Sequence, residues 1–277
     1  MDRIEAFKSI AAQAGRGELT FPTNVDATLK LQRALNDPAL HADDAARLVQ
    51  AEPLLAARTV AIANSVAYNR FGNDVTNVRS AVQRVGFRTL NALAAAVIVR
   101  QLDSKITRMD LRLKADQLWK HSAHVAALSQ VIARRVTRID PDTALFAGIV
   151  HEVGGFYLLS RAEEFPGLLD GEPEDWLEHG EVPIGRAVLS KLGVPAAVME
   201  AIEAMWGGMR ALPPETLGDT LMLANDLAPF DSPLHGRAGA TTRQSAATID
   251  FVIGDGTLAE ILAESAEEVS SLTAALY

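Results

Sequence analysis

The chain has 277 residues, is 48% hydrophobic, and carries 26 Lys plus Arg against 35 Asp plus Glu, a formal charge of −9. That length can bury a sizeable core in one large domain or two packed lobes. The acidic balance repels polyphosphate at long range, so nucleic acid is not an expected partner. The absence of cysteine removes disulfides, thiol nucleophiles and thiolate zinc sites together, leaving only imidazole and carboxylate as metal donors.

Apolar runs such as Ala92 to Val99 fall short of the roughly 20 residues that a membrane span needs, and the first residues, Met1 to Glu5, lack an apolar signal-peptide core. The expectation is a cytoplasmic chain with no membrane partner.

Taken in order, the elements read as helices nearly throughout. Leu29, Leu31 and Leu35 have helical spacing and stop at Asn36-Asp37-Pro38, because Pro38 moves the preceding residue out of the α region. Asp43 or Asp44 is expected to cap a helix over Ala45 to Gln50, and Pro53 to open the next at its first turn. The run Leu54 to Ala67 is apolar on more than one face, as in a helix inside a bundle. After the turn-rich Asn69 to Asn77, helical spacing resumes to Gly86, and a further apolar helix covers Arg88 to Leu102.

The charged stretch Asp103 to Lys114 reads as a connector, dividing a lobe of residues 1–110 from a lobe of residues 111–277. The second lobe opens with a long helix from Leu113 to Val136. Its terminal Arg134, Arg135 and Arg138 are assigned to the helix dipole and solubility rather than to a phosphate. Asp140-Pro141-Asp142 caps a helix over Ala144 to Leu159, and further helices cover Ile184 to Leu192 and Pro195 to Trp206. Thr248 to Ile253 is the only strand-like run, with a helix start or loop as the alternative. Thr241 to Tyr277 could close over a pocket.

The side chains with chemical potential are His121, His124, His151, Glu152, Glu163, Glu164, Asn225 and Asp226. A hydrolytic metal centre needs imidazoles and carboxylates converging from several helices with a position left for water. Spacing alone favours hydrogen-bonded core residues over ligands. His124, His179 and His235 have no partner spacing and read as surface or satisfied histidines. Asn64-Ser65 reads as a helix-terminating pair.

A set of short motifs recurs in a recognisable order. Phe21-Pro22-Thr23, Asn36-Asp37-Pro38, the run Ala51 to Arg58, Ala63-Asn64-Ser65 and Ala81 to Gly86 resemble the N-terminal half of HDOD domains, HD-related output domains of bacterial signalling proteins. Leu118 to Ser122, Leu145 to Gly154 and Glu181 to Trp206 resemble their HD-like half. The resemblance implies an all-α, multi-helical, two-lobed bundle. It also implies a metal frame of two histidines and two aspartates, of which His121 and His151 match the histidines while Glu152 and Asn225 stand where the aspartates would be. Glu152 has an extra methylene, and Asn225 offers a neutral oxygen. Asp226 lies about 100° further round a helix. Phosphodiesterase relatives place Gly-Lys where this chain has Gly154-Gly155, and other members often place histidine at Glu181 and at Met205-Trp206. Trp206 reads as a packing residue.

The function expected is therefore a non-catalytic regulatory domain acting by contact with signalling proteins or by sensing a small nucleotide ligand. No cofactor, metal ligand or catalytic residue is expected, and His121, His151, Glu152, Asn225 and Asp226 form a remnant pocket. A homodimer is a further expectation. The competing reading is a metal-dependent phosphohydrolase or cyclic-nucleotide phosphodiesterase using His121, His151, Glu152 and Asp226.

Overall fold

The computed structural model describes residues 2–208, 210–235 and 257–277, which form helices and turns with no strand among them. The strand-like run Thr248 to Ile253 lies outside the described residues. The helices are α1 Arg3–Gly15, α2 Thr23–Leu35, α3 Ala42–Gln50, α4 Pro53–Ala63, α5 Val78–Leu102, α6 Met109–Ile132, α7 Pro141–Val150, α8 Val153–Arg161, α9 Pro173–Trp176, α10 Val182–Lys191, α11 Ala196–Trp206, α12 Leu217–Leu227, α13 Thr257–Glu264 and α14 Ala266–Leu276.

Local chemistry accounts for most of the boundaries. Helix α2 stops before Pro38, and α4 opens on Pro53 with Glu52 accepting the Leu55 N–H at 2.5 Å. Helix α3 begins at Ala42, so Asp43 and Asp44 sit in its first turn beside the helix dipole rather than capping it. Gly86 adopts φ 77°, a left-handed conformation suited to glycine, and kinks α5 where the sequence pattern pauses. The connector is shorter than the charge pattern suggests. Helix α6 starts at Met109, and Glu163 anchors its entry by accepting the Thr107 and Arg108 N–H groups.

A large apolar core runs through the bundle, including Phe7, Leu55, Leu93, Trp119, Phe156, Ile202 and Leu276, and a smaller cluster joins Val125, Leu128, Leu223 and Leu258. Its layers approach closely at glycines. A Cβ on Gly148 of α7 would lie 2.4 Å from Ala126 Cα of α6, and one on Gly154 of α8 would lie 2.8 Å from Gly185 Cα of α10. Trp206 covers Gly185 from α11, in keeping with a packing role.

Two helical stretches, Val78–Leu102 and Pro141–Glu164, are long and apolar enough to cross a membrane by length and composition, which the short apolar runs did not suggest. They are 67% and 83% buried inside the bundle, so the core accounts for their composition.

The three arginines after α6 serve the tertiary structure. Arg134 pairs with Glu268 and Arg135 with Glu264 at 2.6 Å, while Arg138 donates to the Arg134 carbonyl. The first two therefore fasten α13 and α14 to the bundle, rather than serving only a helix dipole. Helix α14 packs along α6 and α4.

Candidate functional site

His121 projects from the middle of α6, and His151 and Glu152 occupy the junction between α7 and α8. The sequence reads as one helix across this junction. Instead, Glu152 takes φ −100° and ψ 13°, ending α7 and restarting the chain as α8. All three side chains are buried, and one donor atom from each lies within 4.8 Å of the others.

The tautomers follow from the acceptors. His121 Nδ1 lies 2.8 Å from the Phe230 carbonyl, and His151 Nδ1 lies 2.8 Å from the Gly148 carbonyl. A carbonyl only accepts, so each Nδ1 carries the proton and each Nε2 of a neutral ring keeps a lone pair. Those two Nε2 atoms face each other at 3.3 Å. Burial lowers the pKa of both rings, His151 to about 4, which favours the neutral forms.

A strap following α12, residues 228–235, covers the cluster. Its Phe230 carbonyl holds His121, and its Leu234 side chain fills the space above Gly155, where a Cβ would meet Leu234 Cδ1 at 2.5 Å. His235 then inserts between two carboxylates. Its Nδ1 lies 3.0 Å from Glu152 Oε1, and its Nε2 lies 2.7 Å from Glu181 Oε1.

Burial alone would lower the His235 pKa, but Glu152 and Glu181 outweigh it and push the value up to about 11. Burial likewise opposes ionisation of Glu152, yet the adjacent His235 charge holds its carboxyl well below the usual range. The contact at Glu152 Oε1 is in ion-pair range without the geometry of a hydrogen bond, so this buried oxygen retains an unused acceptor.

These donors fit a divalent cation. Two imidazoles with free Nε2 lone pairs, each oriented by an Nδ1–H to a backbone carbonyl, and one carboxylate with an unused acceptor form a common set for borderline metals. His121, His151 and Glu152 would hold it, and a bound ion would supply Lewis-acid polarisation.

Of the five residues expected in the remnant pocket, the structure brings His121, His151 and Glu152 together. Asn225, half-buried on α12, sits beside the His121 ring. Asp226 turns instead to Arg210, with which it forms an ion pair.

The other candidates disperse. Glu163 anchors the entry of α6, Glu164 pairs with Arg161, and His124 donates to the Lys120 carbonyl. His179 lies 3.9 Å from Glu178. Asn64 ends α4 and clasps Val75 through both its N–H and its carbonyl, as a terminating residue would.

His235 is the residue that sequence reasoning left outside the site. It follows the last recognisable motif, and its carboxylate partners are remote in sequence. The one available signal was Glu181, a carboxylate at a position where family members often carry histidine.

Among curated proteins, none matches this sequence. Solved structures share its fold, among them three bacterial proteins. A Shewanella amazonensis SB2B protein described as a candidate metal-dependent phosphohydrolase is 23% identical with TM-score 0.77, covering 100% of each chain. A Geobacter sulfurreducens HDOD domain protein of unknown function is 20% identical with TM-score 0.63, covering 99% of this chain and 98% of its own. A candidate signal transduction protein from Marinobacter aquaeolei VT8 is 17% identical with TM-score 0.58, covering 99% of this chain and 66% of its own. At these identities the likeness is one of fold. The family assignment comes from the sequence itself: residues 21–206 match the model of the HDOD domain, and the chain belongs to that family.

Proposed function

We propose that this chain is a regulatory HDOD domain of the cytoplasm that relays a signal by contact with other signalling proteins and does not hydrolyse phosphoesters. The closed strap is the observation that carries this reading. A hydrolytic centre must keep a position open for water and substrate, whereas Leu234 and His235 lie over the cluster and engage its carboxylate. At Gly155, where phosphodiesterase relatives place a lysine, the Leu234 side chain occupies the space. The signalling description of the Marinobacter neighbour agrees with a regulatory role.

The phosphohydrolase reading is favoured by one specific observation, the three converging donors of His121, His151 and Glu152. A hydrolysis assay separates the two. Protein loaded with Mn2+ or Fe2+ would be tested against a chromogenic phosphodiester and cyclic nucleotides beside the His151→Ala variant. The regulatory reading expects equal background rates from both proteins. Turnover that disappears in His151→Ala would overturn it.

A further inference from the structure

A second cavity, of about 550 Å³, lies between α6, the end of α12, α13 and α14, and none of His121, His151 and Glu152 lines it. Its volume falls within the range of about 300–1,000 Å³ typical of small-molecule sites. The walls are Leu128, Leu227, Leu262 and Val269, which belong to the smaller apolar cluster or pack against it.

Helix α14 shapes the space. Ala266, Ser270 and Ala274 recur every four residues and form one row, whose small side chains leave the cavity open. Val269, Thr273 and Tyr277 form the adjacent row. The lining residues follow α14 from end to end, and its 11 residues span roughly 16 Å, so the space is elongated.

The charge and polarity of the lining limit what fits. Among the described residues, no Lys, Arg, Asp or Glu lines the cavity. A phosphate or carboxylate entering it would lose hydration with no cation to replace it. The net charge of −9 adds a long-range repulsion.

Polar capacity is nonetheless present. Thr273 is 6% exposed, and its hydroxyl has no hydrogen-bond partner among the described residues. A buried hydroxyl is costly while unpaired. Threonine on a helix populates two χ1 rotamers, so the hydroxyl can turn toward the cavity without a backbone movement. His124, on the opposite helix, uses Nδ1 for the Lys120 carbonyl, and its Nε2 has no partner among the described residues.

We infer that this cavity binds a neutral, elongated amphipathic small molecule, with an alkyl or aryl body against the leucines and one hydroxyl or carbonyl group at Thr273. Burial of the body supplies affinity, and the hydrogen bond to Thr273 fixes the orientation. Site and ligand chemistry both differ from those of the histidine cluster. The inference holds whether or not that cluster hydrolyses a phosphoester.

The test is titration of the full chain with the hydrocarbon dye diphenylhexatriene at neutral pH, followed by displacement with octanol, octanoate or cyclic AMP. Saturation at one dye per chain is expected, with octanol displacing it at least tenfold better than octanoate and cyclic AMP without effect. Ala274→Leu and Ser270→Leu fill the cavity from exposed positions, so either serves if the other fails to fold. Each should weaken dye binding tenfold or more. Thr273→Val should leave dye affinity unchanged and weaken octanol about fivefold, the scale of one net hydrogen bond. No saturable dye binding, undiminished binding in the filled variants, or octanol unaffected by Thr273→Val would each overturn the inference. Displacement by octanoate or cyclic AMP as effective as by octanol would overturn the neutral ligand class. Self-association of the parent chain that is lost in the filled variants would overturn it by giving the cavity to a second copy.

Discussion

The Nε2 atoms of His121 and His151 face each other at 3.3 Å while the Nδ1 of each ring donates to a main-chain carbonyl. Two neutral rings so fixed direct their lone pairs at a common point, and His235 lies beyond them against Glu152. This arrangement places opposite protonation demands on neighbouring histidines.

The pH dependence of stability follows from those demands. His151 has its folded-state pKa lowered to about 4, chiefly by burial, so its contribution is fully present above its unfolded value near 6.5 and is lost as pH falls through the folded value. Glu152, also held low, loses its contribution as pH falls below the ordinary carboxylate range. His235 is shifted the other way, to about 11. Its contribution is fully present below about 6.5 and is lost as pH rises through the folded value. In chelator-treated protein, the urea midpoint is expected to be highest near neutrality and to fall on both sides. Replacing His235 with Gln should flatten the alkaline limb. A midpoint still rising from pH 7 to 10 in the parent protein would contradict this assignment.

Gly148 lets α7 lie directly against α6. In Gly148→Ala the new methyl would sit 2.4 Å from Ala126 Cα, a backbone atom that cannot rotate away. Overpacking of this kind costs about 1–3 kcal/mol. Because α7 carries the carbonyl that orients His151, the substitution should lower the melting temperature by several degrees and also weaken any Mn2+ binding. Gly15→Ala, where nothing lies within 4 Å of the added methyl, serves as the control and should change little.

Asp140 caps α7 by accepting from the Thr143 N–H at 2.9 Å and from its hydroxyl. Asp140→Ala removes both acceptors and the exposed pair with Arg88. Loss of a cap costs about 1 kcal/mol, up to about 2, and the exposed ion pair adds little. Chemical denaturation should show that loss, with Asp140→Asn retaining most of the stability.

Arg58 is 5% exposed, and its Nε and Nη1 have no hydrogen-bond partner. Burial, followed by the charge of Arg100, lowers its pKa to about 10. Its Nη2 donates to the Tyr277 main-chain oxygen at 3.5 Å and it lies over the Trp119 ring at 5.6 Å, which together offset part of the cost of burying the charge. Replacing such a group with an apolar residue of similar reach is commonly neutral or stabilising. Arg58→Met should leave the melting temperature unchanged or raise it. A clear fall would show that the guanidinium is satisfied by a group not identified among its contacts.

The sequence by itself determined the elements whose signals are local. Pro38, Pro53, Gly86 and the Asp140-Pro141 cap act within a turn of the chain, through a fixed φ, a missing donor or a side-chain acceptor, and the helices end or begin there. The HDOD motifs, including His121 and His151-Glu152, were legible for the same reason. The break between α7 and α8 was not, because the apolar pattern runs through His151 without interruption and only packing on both sides reorients Glu152.

Only the tertiary structure decided what surrounds the cluster. His235 meets Glu181 across 54 residues of sequence, and Leu234 fills the gap above Gly155. Arg134 and Arg135 proved to be fasteners for the C-terminal helices, because their acceptors lie more than a hundred residues away: 134 for Arg134 to Glu268 and 129 for Arg135 to Glu264. Such pairings depend on where the bundle brings remote segments together, and neither periodicity nor composition carries that information.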